Sequence, residues 1–292
     1  MTLTLVSAWK SARERLTAAG VDSPVIDARL LLEAAADATR LEIVTEPQRA
    51  LTPDQETRLE AFLKRREGRE PVSHILGRKG FWKIMLRVTS DVLTPRPDTE
   101  TLLDVVLPAL AETAEAEILD LGVGSGAILL AILAERAGTR GLGIDVSEAA
   151  LEVARENAAL LNLQDRAAFS HGDWTEGLAD ERFEVVVSNP PYIPTRDIAG
   201  LDPEVRDHEP HLALDGGPDG LDAYRRLAPE ILRVLKPGGL FAVEIGPDQT
   251  AAVMELFKAA GAIEVRMQRD LSTRERVVAG LKKPLGYTAL NR

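Results

Sequence analysis

Ile118-Leu119-Asp120-Leu121-Gly122-Val123-Gly124-Ser125-Gly126-Ala127 decides the fold: four residues of strand character, a glycine-rich turn, then an apolar run with the length and spacing of a helix. Glycine is needed where the backbone turns sharply beside a ligand, and the helix N-terminus beyond it offers free N–H groups to a polar end. Working outward, strands and helices alternate. The pattern predicts a strand over residues 141–145, a helix over 148–161, strands over 167–170 and 183–188, a helix over 222–234 and a strand over 240–245. A closing hairpin pair is expected at 262–267 and 276–279. Such a series implies an α/β class, Rossmann-like, with a mostly parallel sheet covered on both faces.

Upstream the texture differs. Residues 6–69 repeat apolar positions at helical spacing, as in Ala8, Ala12 and Leu16 and again in Leu59, Phe62 and Leu63. Asp22-Ser23-Pro24 separates two helices, and Thr52 is the expected N-cap ahead of Pro53. From Gly77 to Val92, Ile84, Leu86 and Val88 alternate as in a strand. In Thr94-Pro95-Arg96-Pro97-Asp98-Thr99-Glu100 the prolines hold an extended turn, with Asp98 or Thr99 expected to cap the next helix. The expected organisation is a helical docking domain over 1–75, a β-hairpin linker over 76–93 and a catalytic domain over 94–292.

Composition narrows the function. There is no cysteine, which excludes disulfides, thiolate metal sites and cysteine nucleophiles. The longest wholly apolar run covers only residues 127–134, and Met1-Thr2-Leu3-Thr4 lacks the pattern of a signal peptide, so a cytoplasmic protein without membrane contact is expected. A net charge of −11 opposes a grip on nucleic acid, and the basic run Lys64-Arg65-Arg66 reads as a solvated helix face. His208 and His211 lack a third metal ligand, and Pro210 between them opposes a helix, so no metal is expected. Ser125 lacks the flanks of a hydrolase nucleophile.

Asp145, at the end of the second strand, suits both hydroxyls of a ribose, so loop and acid together point to a nucleoside cofactor. Gly122-x-Gly124-x-x-Ala127 also satisfies the fingerprint for NAD. Two features favour S-adenosylmethionine instead. Asp120 just before the loop suits a cationic amino-acid group better than a pyrophosphate, and a later strand ends in Asn189-Pro190-Pro191-Tyr192 rather than in a proton-transfer residue. Asp173 and Trp174 fall where an adenine would lie, although the indole equally suits a core position. In the tetrad, the Asn189 oxygen and the Pro190 carbonyl can accept both hydrogens of an NH2 group while the Tyr192 ring covers its face.

The tetrad, the loop from Asp120 to Gly126 and the Pro-Arg-Pro segment together resemble the protein-(glutamine-N5) methyltransferases that modify peptide-chain release factors. Leu76-Gly77, Glu209-Pro210, Asp219-Gly220-Leu221 and Glu244-Ile245-Gly246 with Gln249 extend the resemblance over nearly the whole chain. It implies S-adenosylmethionine as donor and, as acceptor, the glutamine of a Gly-Gly-Gln loop. The implied cofactor residues are Asp120, Gly122, Val123, Gly124, Ser125, Gly126, Asp145, Asp173, Trp174 and Asn189. Asn189, Pro190 and Tyr192 would be catalytic and, with Pro191, hold the glutamine in a cleft also lined by Arg96, Thr99 and Glu100. A monomer is expected, docking the factor through its helical domain. N6-adenine methyltransferases share such tetrads, and a non-catalytic S-adenosylmethionine-binding protein is the further alternative. Thr273 departs from the glycine usual in the family, which puts its turn in question.

Overall fold

The computed structural model describes residues 3–112 and 115–286; Met1, Thr2, Thr113, Ala114 and residues 287–292 lie outside that description. The chain divides into two compact units, Met1–Arg78 with Asp202–His208, and Lys79–Leu201 with Glu209–Arg292. Among the described residues no helix is long and apolar enough to cross a membrane.

The first unit packs α1 (Leu5–Ala18), α2 (Pro24–Ala36), α3 (Arg40–Thr45), α4 (Pro53–Glu67) and α5 (Val72–Leu76) around Leu5, Leu16, Leu31, Leu32 and Leu59. Three helices start at a threonine whose hydroxyl accepts the N3 amide while the N3 side chain answers its backbone N–H: Thr4, Thr39 and, as the sequence predicts, Thr52. The basic run on α4 corrects the expectation. Lys64 is solvated, but the Arg66 side chain is only 6% exposed. Residues 59, 63 and 66 share one helical face, so Arg66 follows Leu59 and Leu63 into the interior. There its Nε donates to Asp27 Oδ2 at 2.8 Å and its Nη2 to Glu204 Oε1 at 2.8 Å. Glu204 lies on α9 (Pro203–Arg206), and its other oxygen accepts from Arg69 at 2.7 Å.

In the second unit the hairpin β1 (Arg78–Phe81) and β2 (Ile84–Arg87) buries Phe81 and Leu86 in the main core. A 3-10 turn over Pro97–Glu100 runs directly into α6 (Thr101–Ala109). Neither Asp98 nor Thr99 caps that helix, contrary to expectation, because the continuing turn already supplies the Asp98 carbonyl to the Thr101 N–H. Asp98 Oδ2 instead accepts from Arg276 Nη2 at 2.9 Å.

A seven-stranded sheet follows: β3 (Glu117–Leu121), β4 (Arg140–Asp145), β5 (Ala167–His171), β6 (Phe183–Ser188), β7 (Leu235–Glu244), β8 (Ala262–Arg269) and β9 (Glu275–Lys282), in the order β5-β4-β3-β6-β7-β9-β8. Only β9 runs against the rest, which is the mostly parallel sheet with a closing antiparallel hairpin that the sequence predicts. Helices α7 (Ala127–Glu135), α8 (Glu148–Leu160), α10 (Asp222–Val234) and α11 (Thr250–Ala259) complete the unit. Along β7, Leu240 and Ala242 face one core while Phe241 and Val243 face the other, where Phe241 stacks on Phe257 at 4.1 Å. Strand order reverses between β3 and β6, with Leu121 paired to Ser188. The next residues, Gly122 and Asn189, therefore open neighbouring loops at the carboxyl edge, where such sheets bind ligands.

Two elements depart from the expected series. Strand β7 starts five residues early, at Leu235, and its pairing jumps from Phe183↔Leu235 to Val185↔Leu240. Pro237 cannot donate to a ladder, so the strand bulges past it, and this masked its first half in the sequence. Helix α11 was not expected, although Val253 and Phe257 have helical spacing and are fully buried. At the β8–β9 turn Thr273 has φ 66°, the left-handed region in which a β-branched residue is strained. The Thr273→Gly variant is expected to gain about 1 kcal/mol in urea unfolding. A lowered midpoint would contradict this.

Candidate active site

The glycine turn is built as its sequence requires. Gly126, at φ 82°, starts α7, and a Cβ there would come within 2.9 Å of Leu130 Cδ1. A Cβ on Gly124 would meet nothing, which marks the open side of the loop. The Gly124 and Ser147 N–H groups each donate at 2.9 Å to one oxygen of Asp145. A carboxylate has about four acceptor sites, so each oxygen keeps capacity for a hydroxyl. Beneath the loop Asp120 is fully buried; its Oδ2 accepts from Leu129 N–H at 3.2 Å and its Oδ1 has no partner. Burial pushes the Asp120 carboxyl up to about 7, the Leu129 N–H opposes the rise, and the charge on Asp145 adds to it.

A cavity of about 510 Å³ opens above this loop. Gly122, Val123, Gly124, Ser125, Asp145, Asp173, Trp174 and Asn189 line it, together with Arg96, Thr99 and Pro191. Asp120, Gly126, Pro190, Tyr192 and Glu100 are not part of the lining. The Trp174 ring covers the loop 3.6 Å from where a Gly122 Cβ would stand, and Asp173 Oδ2 is held by Arg226 at 2.7 Å. Glu100 accepts the Trp82 backbone N–H at 2.7 Å.

On the facing wall Asn189 Nδ2 donates to the Thr99 hydroxyl at 3.3 Å, which leaves its Oδ1 as the acceptor. The Tyr192 hydroxyl donates to Glu244 Oε1 at 3.2 Å, and neither residue lines the cavity. Gln249 fixes the same segment, donating to the carbonyls of Tyr192 at 2.9 Å and Gly220 at 3.1 Å. Arg96 is pinned by Glu209, whose Oε2 lies 2.6 Å from its Nη2 and whose side chain is 1% exposed.

Glu209, Glu244 and Gln249 appear in the sequence reading without a role. Glu244 carries a signal that could have assigned one: a lone acid closing an apolar strand, the pattern that marked Asp145. Glu209 and Gln249 act through loop geometry and leave no such trace. His208 and His211 part company, His208 reaching the Gly68 carbonyl at 3.2 Å while His211 lines the cavity. Among the described residues no cluster of histidines and carboxylates could hold a metal ion.

Known proteins resemble this chain over nearly its whole length. A family model described as "PrmC N-terminal domain" matches residues 7–77, and one described as "Methyltransferase domain" matches residues 112–276. The chain is 66% identical to a release factor glutamine methyltransferase of Caulobacter vibrioides, over 98% of this chain and 99% of that protein. Proteins of the same name from Rhodospirillum rubrum and Agrobacterium fabrum are 47% and 44% identical, over 93% and 92% of this chain and 83% and 94% of theirs. With identity of this order running through both units and nearly the full length of each sequence, the chain belongs to the release factor glutamine methyltransferase family.

Proposed function

We propose that this protein transfers a methyl group from S-adenosylmethionine to the side-chain amide nitrogen, N5, of the glutamine in the Gly-Gly-Gln loop of peptide-chain release factors. The observation that carries this reading is the Leu121–Ser188 register, which opens the glycine loop and Asn189 into one cavity. The residues fit the cofactor. Asp145 has acceptor capacity for two ribose hydroxyls, the Trp174 ring can cover the adenine, and Gly124 leaves room for close approach. Asp120, poised near neutral with an unpartnered oxygen, would answer a cationic group above the loop by ionising.

When bound, S-adenosylmethionine supplies an electrophilic methyl carbon on a sulfonium. An amide nitrogen is a weak nucleophile because its lone pair is delocalised. Asn189 Oδ1 and the Pro190 carbonyl accept its two hydrogens, which favours a pyramidal nitrogen and stabilises the positive charge that grows on it. Both acceptors are neutral, so the surplus proton leaves the nitrogen after transfer. Arg96, held by Glu209, and Thr99 line the approach of the glutamine. Tyr192 acts from behind the wall, through Glu244, rather than by covering the amide. The helical domain over 1–75 docks the factor and supplies affinity that one side chain cannot. The net charge of −11 supports a protein rather than a nucleic-acid substrate. The absence of cysteine fits work in the cytoplasm.

The Asp145→Ala variant is expected to bind S-adenosylmethionine roughly 10- to 100-fold more weakly in calorimetry, the loss of charge-assisted hydrogen bonds. An unchanged affinity would remove Asp145 from the cofactor site. For substrate class, the protein is incubated with labelled S-adenosylmethionine and, separately, a release factor, DNA and RNA. Label is expected on the release factor alone; label on DNA or RNA would overturn the proposal.

A further inference from the structure

We infer that Gln249 is a positioning residue for the methyl transfer: its side-chain amide ties the loop that follows Asn189 to two other segments of the chain and so fixes the Pro190 carbonyl. The role rests on the proposed use of that carbonyl as an acceptor for the glutamine amide. Gln249 does not line the cavity, so it acts only through the loop it holds.

The loop needs an outside tether because of its own sequence. Pro190 and Pro191 have no N–H, so two consecutive residues lack any donor with which to anchor themselves. Carbonyls are the remaining handles, and that of Pro190 has to stay open to the substrate. The Tyr192 carbonyl is the one held, accepting from Gln249 Nε2 at 2.9 Å.

A glutamine suits this point because one planar group carries two donors and an acceptor. Its Nε2 also donates to the Gly220 carbonyl at 3.1 Å, and its Oε1 accepts the Gly246 N–H at 2.9 Å. These partners fix which end is which, since a backbone N–H only donates and a carbonyl only accepts. The loop after β6, the turn before α10 and the chain after β7 are thus joined through one side chain. Gln249 stands at the N-cap of α11 but makes no side-chain cap bond there. It is 8% exposed, so water cannot readily replace the bonds it makes.

Glycines keep the space for it. Gly220 has φ 78°, and a Cβ there would collide with the Tyr192 carbonyl oxygen and stand 2.6 Å from Gln249 Nε2. A Cβ on Gly246 would come within 2.9 Å of both Gln249 Oε1 and the Tyr192 ring. Tyr192 is held at both ends, its hydroxyl on Glu244 and its carbonyl on Gln249. Just beyond, the Ile193 N–H donates to the Leu214 carbonyl at 3.0 Å and the Gly216 N–H to the Ile193 carbonyl at 2.9 Å.

The test compares wild type with Gln249→Met, which keeps length and bulk and removes the side-chain hydrogen bonds, using labelled S-adenosylmethionine and a release factor. A displacement of about 1 Å in a reacting geometry can cost about 10²-fold, so kcat should fall roughly 10- to 100-fold. KM for the factor and cofactor affinity in calorimetry should change little, and retained cofactor binding shows that the variant is folded. Gly220→Ala pushes on the same carbonyl with Gln249 in place and should reproduce the loss in kcat. The double variant should lose less than the product of the two single losses, because both act by moving one loop. A readout without substrate is hydrogen exchange at the amides of Ile193 and Gly216, which should quicken roughly tenfold or more in Gln249→Met while those of β3 stay as in wild type. Wild-type kcat in Gln249→Met, a rise in KM alone, cofactor affinity falling as far as kcat, or unchanged exchange at Ile193 and Gly216 would overturn the inference. If the wild type methylates no release factor, the proposed function fails, and the exchange rates still decide whether Gln249 holds the loop.

Discussion

Asn189→Ala is expected to lower kcat by about 10²- to 10³-fold, the cost of deleting one group that stabilises charge developing in a transition state. The mutation removes the Oδ1 acceptor and the Nδ2 link to Thr99 while leaving the glycine loop, Asp145 and Trp174 in place. Cofactor affinity should therefore fall far less than kcat, and calorimetry on the same preparation separates the two. Turnover at the wild-type rate would refute the role assigned to Asn189. A parallel collapse of cofactor affinity would make it a cofactor ligand first and a catalytic group second.

The largest expected stability effect belongs to Arg66→Ala in the helical unit. Arg66 is nearly enclosed and holds Asp27 on α2 and Glu204 on α9 through its Nε and Nη2. Truncation leaves Asp27 buried without its partner, and breaking a buried pair from one side typically costs about 3–5 kcal/mol. Glu204 retains Arg69, which places the expectation at the lower end, about 3 kcal/mol. The measurement is hydrogen exchange at the amides of α2 and α4, where protection should fall by roughly the factor that this free energy implies, about 10². Arg66→Lys restores a charge but not the fork and should fall between. Undiminished protection in Arg66→Ala would mean that the cluster contributes specificity rather than stability.

The architecture was legible because its signals are local. A strand, a glycine turn and a helix are adjacent in sequence at Asp120–Ala127, and alternation repeats often enough to define a mostly parallel sheet. What failed was equally physical. Arg66 looked like one of three solvated cations because composition says nothing about which helical face a residue occupies, and the spacing from Leu59 and Leu63 was the cue. The caps expected from Asp98 and Thr99 were pre-empted by a 3-10 turn, which has no strong sequence mark. At the site, Gly122 to Ser125, Asp145, Asp173, Trp174, Asn189, Pro191, Arg96 and Thr99 come together around one cavity. The parts not legible were partnerships across long sequence separations: Glu209 with Arg96, Tyr192 with Glu244, and Gln249 with the Tyr192 carbonyl. No local pattern encodes them, since the sheet order alone brings those segments together.

The most direct test of the account is to incubate the protein with S-adenosylmethionine and a release factor, digest the factor and sequence its peptides by mass spectrometry. One added methyl on the side chain of the glutamine in the Gly-Gly-Gln peptide, absent with Asn189→Ala, is the predicted result. A methyl on any other residue, or an unmodified factor in the presence of bound cofactor, would contradict it.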